Sequence, residues 1–228
     1  ISAYLYGWSN PGDPDQAASM AERDAALSHR GEGIHGAVAV AAAGALIGGG
    51  LRPANAIETA ADFLPSDSEC AKAISLGLSE ASSPNAARIH AAFEGMSPVH
   101  TVNNLALVAG GLARNSNDFG AAVGETVTAG WDTDCNGATV GGLWGLGGEQ
   151  ISEEWLTPWN GTVRTSLSGI SDLSLDEFKK FAKEFEEDAL NITAQSSVEA
   201  RDNPGGTAPN RVKAALENAK SQVNKNEL

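Results

Sequence analysis

The sequence predicts an all-α fold, a globule of helices joined by short loops. Segments with helical apolar spacing and capping residues follow one another along most of the chain. The alternation of apolar and polar residues that is typical of strands extends over no convincing length. The helical segments are rich in Ala and Gly, so their backbones can pack closely.

Local start signals predict eight helices in the first two thirds of the chain. Asp13 is a favourable N-cap and Pro14 suits a first helical position, so a helix follows them. Pro53 and Pro84 can likewise begin helices, and Ser66 can cap another. The glycines of the last segment lower its intrinsic helix propensity. The predicted helices are Asp15–Ser28, Ile34–Ile47, Pro53–Leu64, Ser66–Ser79, Pro84–Glu94, Thr101–Arg114, Asp118–Ala129 and Thr133–Leu146.

The composition changes after Trp159. Ser174–Leu190 is predicted to be an amphipathic helix whose apolar stripe docks on the core or on a partner subunit. That stripe consists of Leu175, Phe178, Phe181, Ala182 and Phe185. From Ser196 onward the chain is polar, with a linker expected over Arg201–Pro209 and a weak helix over Asn210–Glu227. We therefore expect three parts: a domain over residues 1–169, an appended helix over 170–195, and a linker and tail over 196–228.

Composition narrows the classes of function. The chain has 228 residues, of which 42% are hydrophobic and 19% charged, so most of it should fold around a core. Its net charge of −14 argues against binding to a nucleic-acid backbone. No apolar run reaches the ~18 residues of a membrane span. Two cysteines, Cys70 and Cys135, are too few for a disulfide framework and favour reduced thiols in the cytoplasm.

Two carboxylates two residues apart, Asp132 and Asp134, form the most informative motif. They lie in the segment Gly130–Thr139, just before an apolar stretch that is rich in Gly and Ala. On a turn that enters a helix, both can face one hard cation, which prefers oxygen ligands. The neighbouring segments look buried, and adjacent buried carboxylates are costly unless positive charge lies between them. The motif therefore indicates a candidate metal site.

The motif also fits two other interpretations. Asp132, Asp134, Asn136 and Gly137 match the first six positions of an EF-hand loop, but its twelfth position here is Leu143, not an acidic ligand. The EF-hand interpretation is therefore rejected. In the other interpretation Asp132 caps the following helix and Asp134 lies in its first turn. A bare pair of aspartates would favour that structural role.

Three further polar residues are candidates for substrate binding. His29 ends a predicted helix, where a histidine usually interacts with the helix dipole. His100 precedes another helix, and Asn104 lies on its first turns next to Asn103. Buried polar side chains there need partners, which a ligand or the neighbouring backbone could supply. The sequence contains no P-loop, GxSxG or HExxH motif.

Several segments together resemble the ADP-ribosylglycohydrolase family, which includes the dinitrogenase-reductase-activating glycohydrolase and its bacterial relatives. The most specific match is Gly130-Trp131-Asp132-Thr133-Asp134-Cys135-Asn136-Gly137-Ala138-Thr139-Val140-Gly141. Supporting matches occur in the family's order before and after it. They are Pro11–Pro14, Ala25 with Ser28 and His29, Val99–Asn104, Asp118 with Phe119, and Trp155–Pro158, so that the resemblance covers roughly Ile1–Gly169.

The resemblance implies a compact orthogonal helical bundle around two Mg²⁺ or Mn²⁺ ions. It implies hydrolysis of the glycosidic bond that joins ADP-ribose to a protein side chain or a small molecule. Asp132 and Asp134 match two carboxylate ligands of the family's C-terminal metal motif. Cys135 matches a further ligand position, where many members have Thr or Ser. His29 matches a position near the bound ADP-ribose.

The family's N-terminal motifs, a glycine-rich acidic segment and a Thr-Asp-Asp cluster, do not occur in this sequence. They supply the remaining metal ligands and the carboxylate that handles the water. We therefore expect the chain to correspond to the C-terminal portion of the family domain, with its catalytic residues elsewhere, and to be inactive alone. The alternative is a non-catalytic protein on the same fold that binds ADP-ribose or has a structural role. The sequence indicates no oligomeric state.

Overall fold

The computed structural model describes residues 3–81, 86–115, 117–148, 150–159, 161–164, 173–174, 176–180 and 183. These residues fall into two compact units, one up to residue 148 and one from residue 150. The predicted all-α class is confirmed, since strand in the described ranges is confined to one short antiparallel pair in the second unit. No helix among the described residues is long and apolar enough to cross a membrane.

Nine α-helices form the described part of the first unit. They are α1 (Ala3–Trp8), α2 (Pro14–Ser28), α3 (Glu32–Gly48), α4 (Pro53–Ala60), α5 (Glu69–Ser79), α6 (Ala87–Ala92), α7 (Thr101–Arg114), α8 (Phe119–Thr128) and α9 (Thr133–Leu146), with a 3₁₀ turn at Ala61–Phe63. The second unit contains α10 (Glu153–Leu156), a 3₁₀ turn at Thr157–Trp159, and strands β1 (Thr162–Val163) and β2 (Leu173–Ser174).

Most of the predicted helices are confirmed. Helices α7 and α9 begin and end at the predicted residues. Asp13 caps α2, because its carboxylate accepts a hydrogen bond from the Gln16 amide at 3.0 Å. The predicted cap at Ser66 is wrong: Ser68 caps α5 and accepts from the Ala71 amide at 3.2 Å. Helix α1 was not predicted.

The predictions for the later part of the chain are tested only at a few positions. Residues 176–180 and 183 are helical, within the predicted amphipathic segment. Phe178 is 40% exposed, so this ring of the apolar stripe is only partly covered. Several predictions lie outside the described residues. They concern the other residues of the apolar stripe, the linker and tail, and the helix start at Pro84.

Helices α3 and α7 are the centre of the first unit. Helix α3 packs against α1, α2, α4 and α7, and α7 packs against α5, α8 and α9. Their longest buried runs are Ala41–Ile47 in α3 and Val102–Leu112 in α7. Small residues permit these contacts: a Cβ on Gly7 of α1 would lie 2.7 Å from the Ala41 carbonyl oxygen. The core is therefore built from closely approaching backbones.

Candidate metal centre and ligand cavity

A cavity of about 320 Å³ opens in the first unit, between α1, the end of α2, the start of α3 and the first turns of α7 and α9. It brings together five of the six side chains that the sequence singled out: His29, His100, Asn104, Asp132 and Cys135. The sixth, Asp134, does not line the cavity and is exposed. Residues more than a hundred positions apart in the chain thus meet around one space.

The turn that carries the carboxylates has an unusual backbone. Gly130 and Trp131 both have positive φ, at 89° and 57°. For tryptophan this left-handed conformation costs about 1–2 kcal/mol. The Trp131 ring packs against His90, with ring centroids 4.1 Å apart, and against Phe93 at 6.5 Å. Contacts from α6 and its C-terminal end therefore help to hold the turn.

Asp132, Asp134 and Cys135 form a cluster at the start of α9. One possible ligand atom from each lies within 4.8 Å of the other two. Asp132 occupies the N-cap position, but its side chain makes no capping hydrogen bond. The carboxylates are more accessible than their apolar neighbours in the sequence suggest, because Asp132 is half-buried and Asp134 is exposed. Water can solvate Asp134, so the two charges tolerate each other without a cation.

Cys135 differs chemically from its two neighbours. Both cysteines of the chain are free thiols. Burial raises the pKa of the Cys135 thiol, and a hydrogen bond to Asp132 and the charges of Asp132 and Asp134 raise it further. The sulfur is therefore protonated at neutral pH. A neutral thiol is a weak ligand for a hard cation, so the two carboxylates are the main donors of this cluster.

Asn104 connects this cluster to the start of α7. Its amide oxygen accepts hydrogen bonds from the Asp132 backbone amide at 3.2 Å and from Asn136 Nδ2 at 2.7 Å. Its Nδ2 donates to the carbonyl oxygens of Pro98 at 2.7 Å and His100 at 2.8 Å. The side chain is buried, at 8% exposure. The partners that the sequence left open for Asn104 are thus provided within the protein.

The two histidines of the cavity are exposed and have one ring nitrogen each in a local contact. His100 caps α7, because its Nδ1 accepts a hydrogen bond from the Val102 amide at 3.2 Å. In the neutral ring the proton then lies on Nε2, which is left as a donor. His29 follows α2, and its Nδ1 lies 2.7 Å from the Ser28 hydroxyl.

Four polar side chains that line the cavity were not singled out from the sequence. The Tyr4 hydroxyl hydrogen-bonds to Thr139 Oγ1, and burial raises the pKa of Tyr4. The Tyr6 hydroxyl hydrogen-bonds to the Asp24 carboxylate, which adds a second acidic group to the lining. Thr139 ends the segment Gly130–Thr139, but no sequence pattern marks Tyr4, Tyr6 or Asp24. These three reach the cavity because α1 packs against α2 and approaches α9.

Comparison with known proteins identifies a family. The family model described as ADP-ribosylglycohydrolase matches residues 2–191. This range includes every element that lines the cavity and the whole segment Gly130–Thr139. No solved structure matches the chain.

Short similarities to curated argininosuccinate lyases also occur. The chain is 42% identical over 55 residues to the lyase of Saccharophagus degradans, which covers 24% of this chain and 12% of that protein. It is 44% identical over 48 residues to a lyase of Pseudomonas aeruginosa, covering 21% of this chain and 10% of that protein. It is 38% identical over 55 residues to the lyase of Nitrosomonas europaea, covering 24% of this chain and 12% of that protein. The chain thus spans roughly a tenth of these relatives' length, too little to carry over their activity.

Proposed function

This chain belongs to the ADP-ribosylglycohydrolase family, and from that membership we propose that it acts on the glycosidic bond of ADP-ribosylated proteins or ADP-ribose-like small molecules with the help of Mg²⁺ or Mn²⁺. The observation that carries the proposal is the extent of the family match. It spans the cavity and the carboxylate cluster together. The proposed site is therefore the cavity with Asp132 and Asp134 at its edge.

The donor set fits one hard divalent cation. Asp132 and Asp134 provide oxygen ligands close to each other, and the Asp132 carboxylate is free of a helix-capping role. Cys135 adds a thiol, which contributes little to binding Mg²⁺. A bound cation would supply electrostatic polarisation of substrate oxygens. Since this is the one such cluster of three among the described residues, we propose weak binding of a single ion rather than a bridged pair.

The protein's own side chains have separate roles in this proposal. His100, with its Nδ1 occupied by the Val102 amide, can donate from Nε2 to a substrate oxygen. His29 lines the same cavity and is proposed to contact the ligand. Asp24 is held by the Tyr6 hydroxyl and is an additional carboxylate for a substrate hydroxyl. These groups bind and orient; we assign none of them the catalytic attack by water.

We further propose that these 228 residues contribute the substrate cavity and part of the metal centre to this reaction, and that they do not turn over substrate without further metal ligands. Hydrolysis in this family's implied mechanism needs more metal ligands and a carboxylate that handles the water. Asp132 and Asp134 supply only part of such a centre. An assay with ADP-ribosyl-arginine and excess Mn²⁺ tests this statement. Measurable release of ADP-ribose that depends on Asp132 would refute the inactivity of this chain and would support the hydrolase function at the same time.

A non-catalytic role on the same fold is the second candidate function. The observation that favours it is the protonated Cys135 thiol within the acidic cluster, because it weakens the site for a hard metal. In this case the cavity would bind ADP-ribose, or the fold would serve a structural role, without metal.

Calorimetry separates the two candidates. Mn²⁺ and ADP-ribose are titrated separately into the wild-type protein and into a double variant, Asp132→Ala with Asp134→Ala. The matched control is Glu153→Ala with Glu154→Ala, which removes two adjacent exposed carboxylates from the first turn of another helix. The hydrolase proposal expects Mn²⁺ binding that only the first double variant loses. No Mn²⁺ binding, with unchanged ADP-ribose binding, would favour the non-catalytic role.

A further inference from the structure

The turn before α9 places Trp131 in a backbone conformation that non-glycine residues rarely adopt. Two successive residues, Gly130 and Trp131, have positive φ. Asp132 follows them at the N-cap position and has no side-chain cap of its own. A turn of this kind keeps its shape only when surrounding contacts determine it. The direction in which the Asp132 and Asp134 carboxylates point therefore depends on groups outside the turn.

Asn104 provides such contacts at the N-cap of α9 and one turn into that helix. Its oxygen accepts from the backbone amide of Asp132 and from the side chain of Asn136, one turn further along α9. Its Nδ2 is in turn fixed by the carbonyl oxygens of Pro98 and His100. Only an amide can do this, because an aspartate lacks the two donors and a leucine lacks all four groups.

We infer that Asn104 is a positioning residue of the metal centre: it holds the Asp132 turn against the start of α7 and so orients the carboxylates of α9 and the His100 segment around one cavity. The expected effect of Asn104 on metal binding rests on the proposed function, whereas its effect on the Asp132 turn does not. It does not make Asn104 a substrate-binding residue, since its four hydrogen-bonding positions are engaged within the protein.

The chain offers a matched control in the adjacent residue. Asn103 is fully buried, and its Nδ2 donates to the Ser97 carbonyl at 3.1 Å. Its oxygen accepts from the Asn104 backbone amide at 3.0 Å and, more weakly, from Asn104 Nδ2 at 3.3 Å. Within the described part of the chain, its hydrogen bonds reach only this segment and not the Asp132 turn. Loss of Asn103 leaves the shorter Nδ2 contacts of Asn104 to Pro98 and His100 in place, so it should weaken the fold without releasing the carboxylates.

The test compares Asn104→Ala with Asn103→Ala in two measurements. The first is hydrogen exchange of the Asp132 amide in metal-free protein, and the second is Mn²⁺ affinity by calorimetry. For Asn104→Ala we expect Asp132 exchange at least about tenfold faster than global unfolding explains, and Mn²⁺ affinity lower by about 10–100-fold. For Asn103→Ala we expect both to stay within about twofold after correction for stability. If Asn104→Ala does not fold, Asn136→Ala removes one of the two contacts and should give the same pattern more weakly.

The two measurements keep this inference distinct from the proposed function. Unchanged Asp132 exchange in Asn104→Ala, or equal acceleration in Asn103→Ala, would overturn the positioning role whatever the metal does. If the wild-type protein binds no Mn²⁺, the proposed metal-dependent function fails. The exchange of the Asp132 amide then still decides whether Asn104 holds the turn.

Discussion

The Glu32 carboxylate accepts a hydrogen bond from the Cys70 backbone amide at 2.8 Å, so the first turn of α3 caps the start of α5. The same carboxylate accepts from the Glu69 amide at 3.2 Å. Burial raises the pKa of Glu32, but the hydrogen bonds from Cys70 and Glu69 outweigh it, and the pKa lies below its ordinary value of 4.5. The ionised carboxylate therefore stabilises the contact between α3 and α5.

A lowered pKa in the folded state makes this contribution depend on pH. It is present above the unfolded value of 4.5 and is lost as the pH falls through the lower folded value. We expect Glu32→Gln to reduce the free energy of unfolding by about 1–2 kcal/mol at neutral pH, and the difference from wild type to shrink in acid. Urea denaturation over a series of pH values measures both. Parallel pH profiles for the two proteins would contradict the assignment.

The same contact explains one error of the sequence-based prediction. The segment Pro65-Ser66-Asp67-Ser68 contains two serines that can cap a helix equally well by local chemistry. Glu32, far away in the chain, binds the Glu69 and Cys70 amides and thereby requires α5 to begin after Ser68. Helices whose caps lie at a single good residue, such as Asp13, could be predicted closely. The choice between two neighbouring capping residues could not be predicted, because a tertiary contact determines which of them begins the helix.

For the site, the sequence identified the residues better than their partners. Asp132, Asp134 and Cys135 were recognisable because they are neighbours in one motif. The partners of Asn104 were not, since Asp132 lies 28 residues away and a bound ligand was an equally good candidate partner. Tyr4 was missed together with α1, a helix of six residues, which is too short to show a period. Its packing on α3 and its approach to α9 are properties of the folded chain.

Close packing of helix backbones gives a stability prediction. On Gly77 of α5, a Cβ would overlap the Ala106 carbonyl oxygen of α7 and lie 3.0 Å from the Ala109 Cβ. Gly124 of α8 has nothing within 4 Å of that position. We expect Gly77→Ala to lower the free energy of unfolding by about 2–3 kcal/mol and Gly124→Ala to raise it by about 0.5–1 kcal/mol. Chemical denaturation of both variants measures this. A Gly77→Ala variant as stable as wild type would mean that α5 and α7 are not in close contact.

The thiol of Cys135 leads to a prediction about metal preference. Sulfur favours soft cations such as Cd²⁺, whereas a hydroxyl oxygen favours Mg²⁺ and Mn²⁺. We expect Cys135→Ser to bind Mg²⁺ roughly tenfold more tightly than wild type and Cd²⁺ more weakly. Calorimetry gives both affinities, and the ultraviolet charge-transfer band of a Cd²⁺–thiolate bond should disappear. Cys70→Ala is the control, because Cys70 does not line the cavity. Equal loss of the band in Cys70→Ala would show that Cd²⁺ binds elsewhere.

Asp118 and Asp132 occupy the same position on successive helices and should respond differently to substitution. Asp118 caps α8, since its carboxylate accepts from the Ala121 amide at 2.9 Å, whereas Asp132 makes no capping hydrogen bond to α9. Without metal, we expect Asp118→Ala to lower the free energy of unfolding by about 1 kcal/mol. Asp132→Ala should cost less than about 0.5 kcal/mol, because its favourable interaction with the helix dipole is offset by repulsion from Asp134.

With Mn²⁺ added, Asp132 rather than Asp118 should determine how much stability the protein gains. A cation that binds only the folded state raises its stability, so Mn²⁺ should raise the Tm of wild type and of Asp118→Ala but not of Asp132→Ala. Thermal denaturation with EDTA and with Mn²⁺ makes the comparison. If Asp132→Ala without metal is as unstable as Asp118→Ala, and Mn²⁺ stabilises neither variant nor wild type, then Asp132 is a structural helix cap. That result would remove the physical basis of the metal centre and favour the non-catalytic role, because Asp132 would then stabilise α9 and would not bind a metal ion.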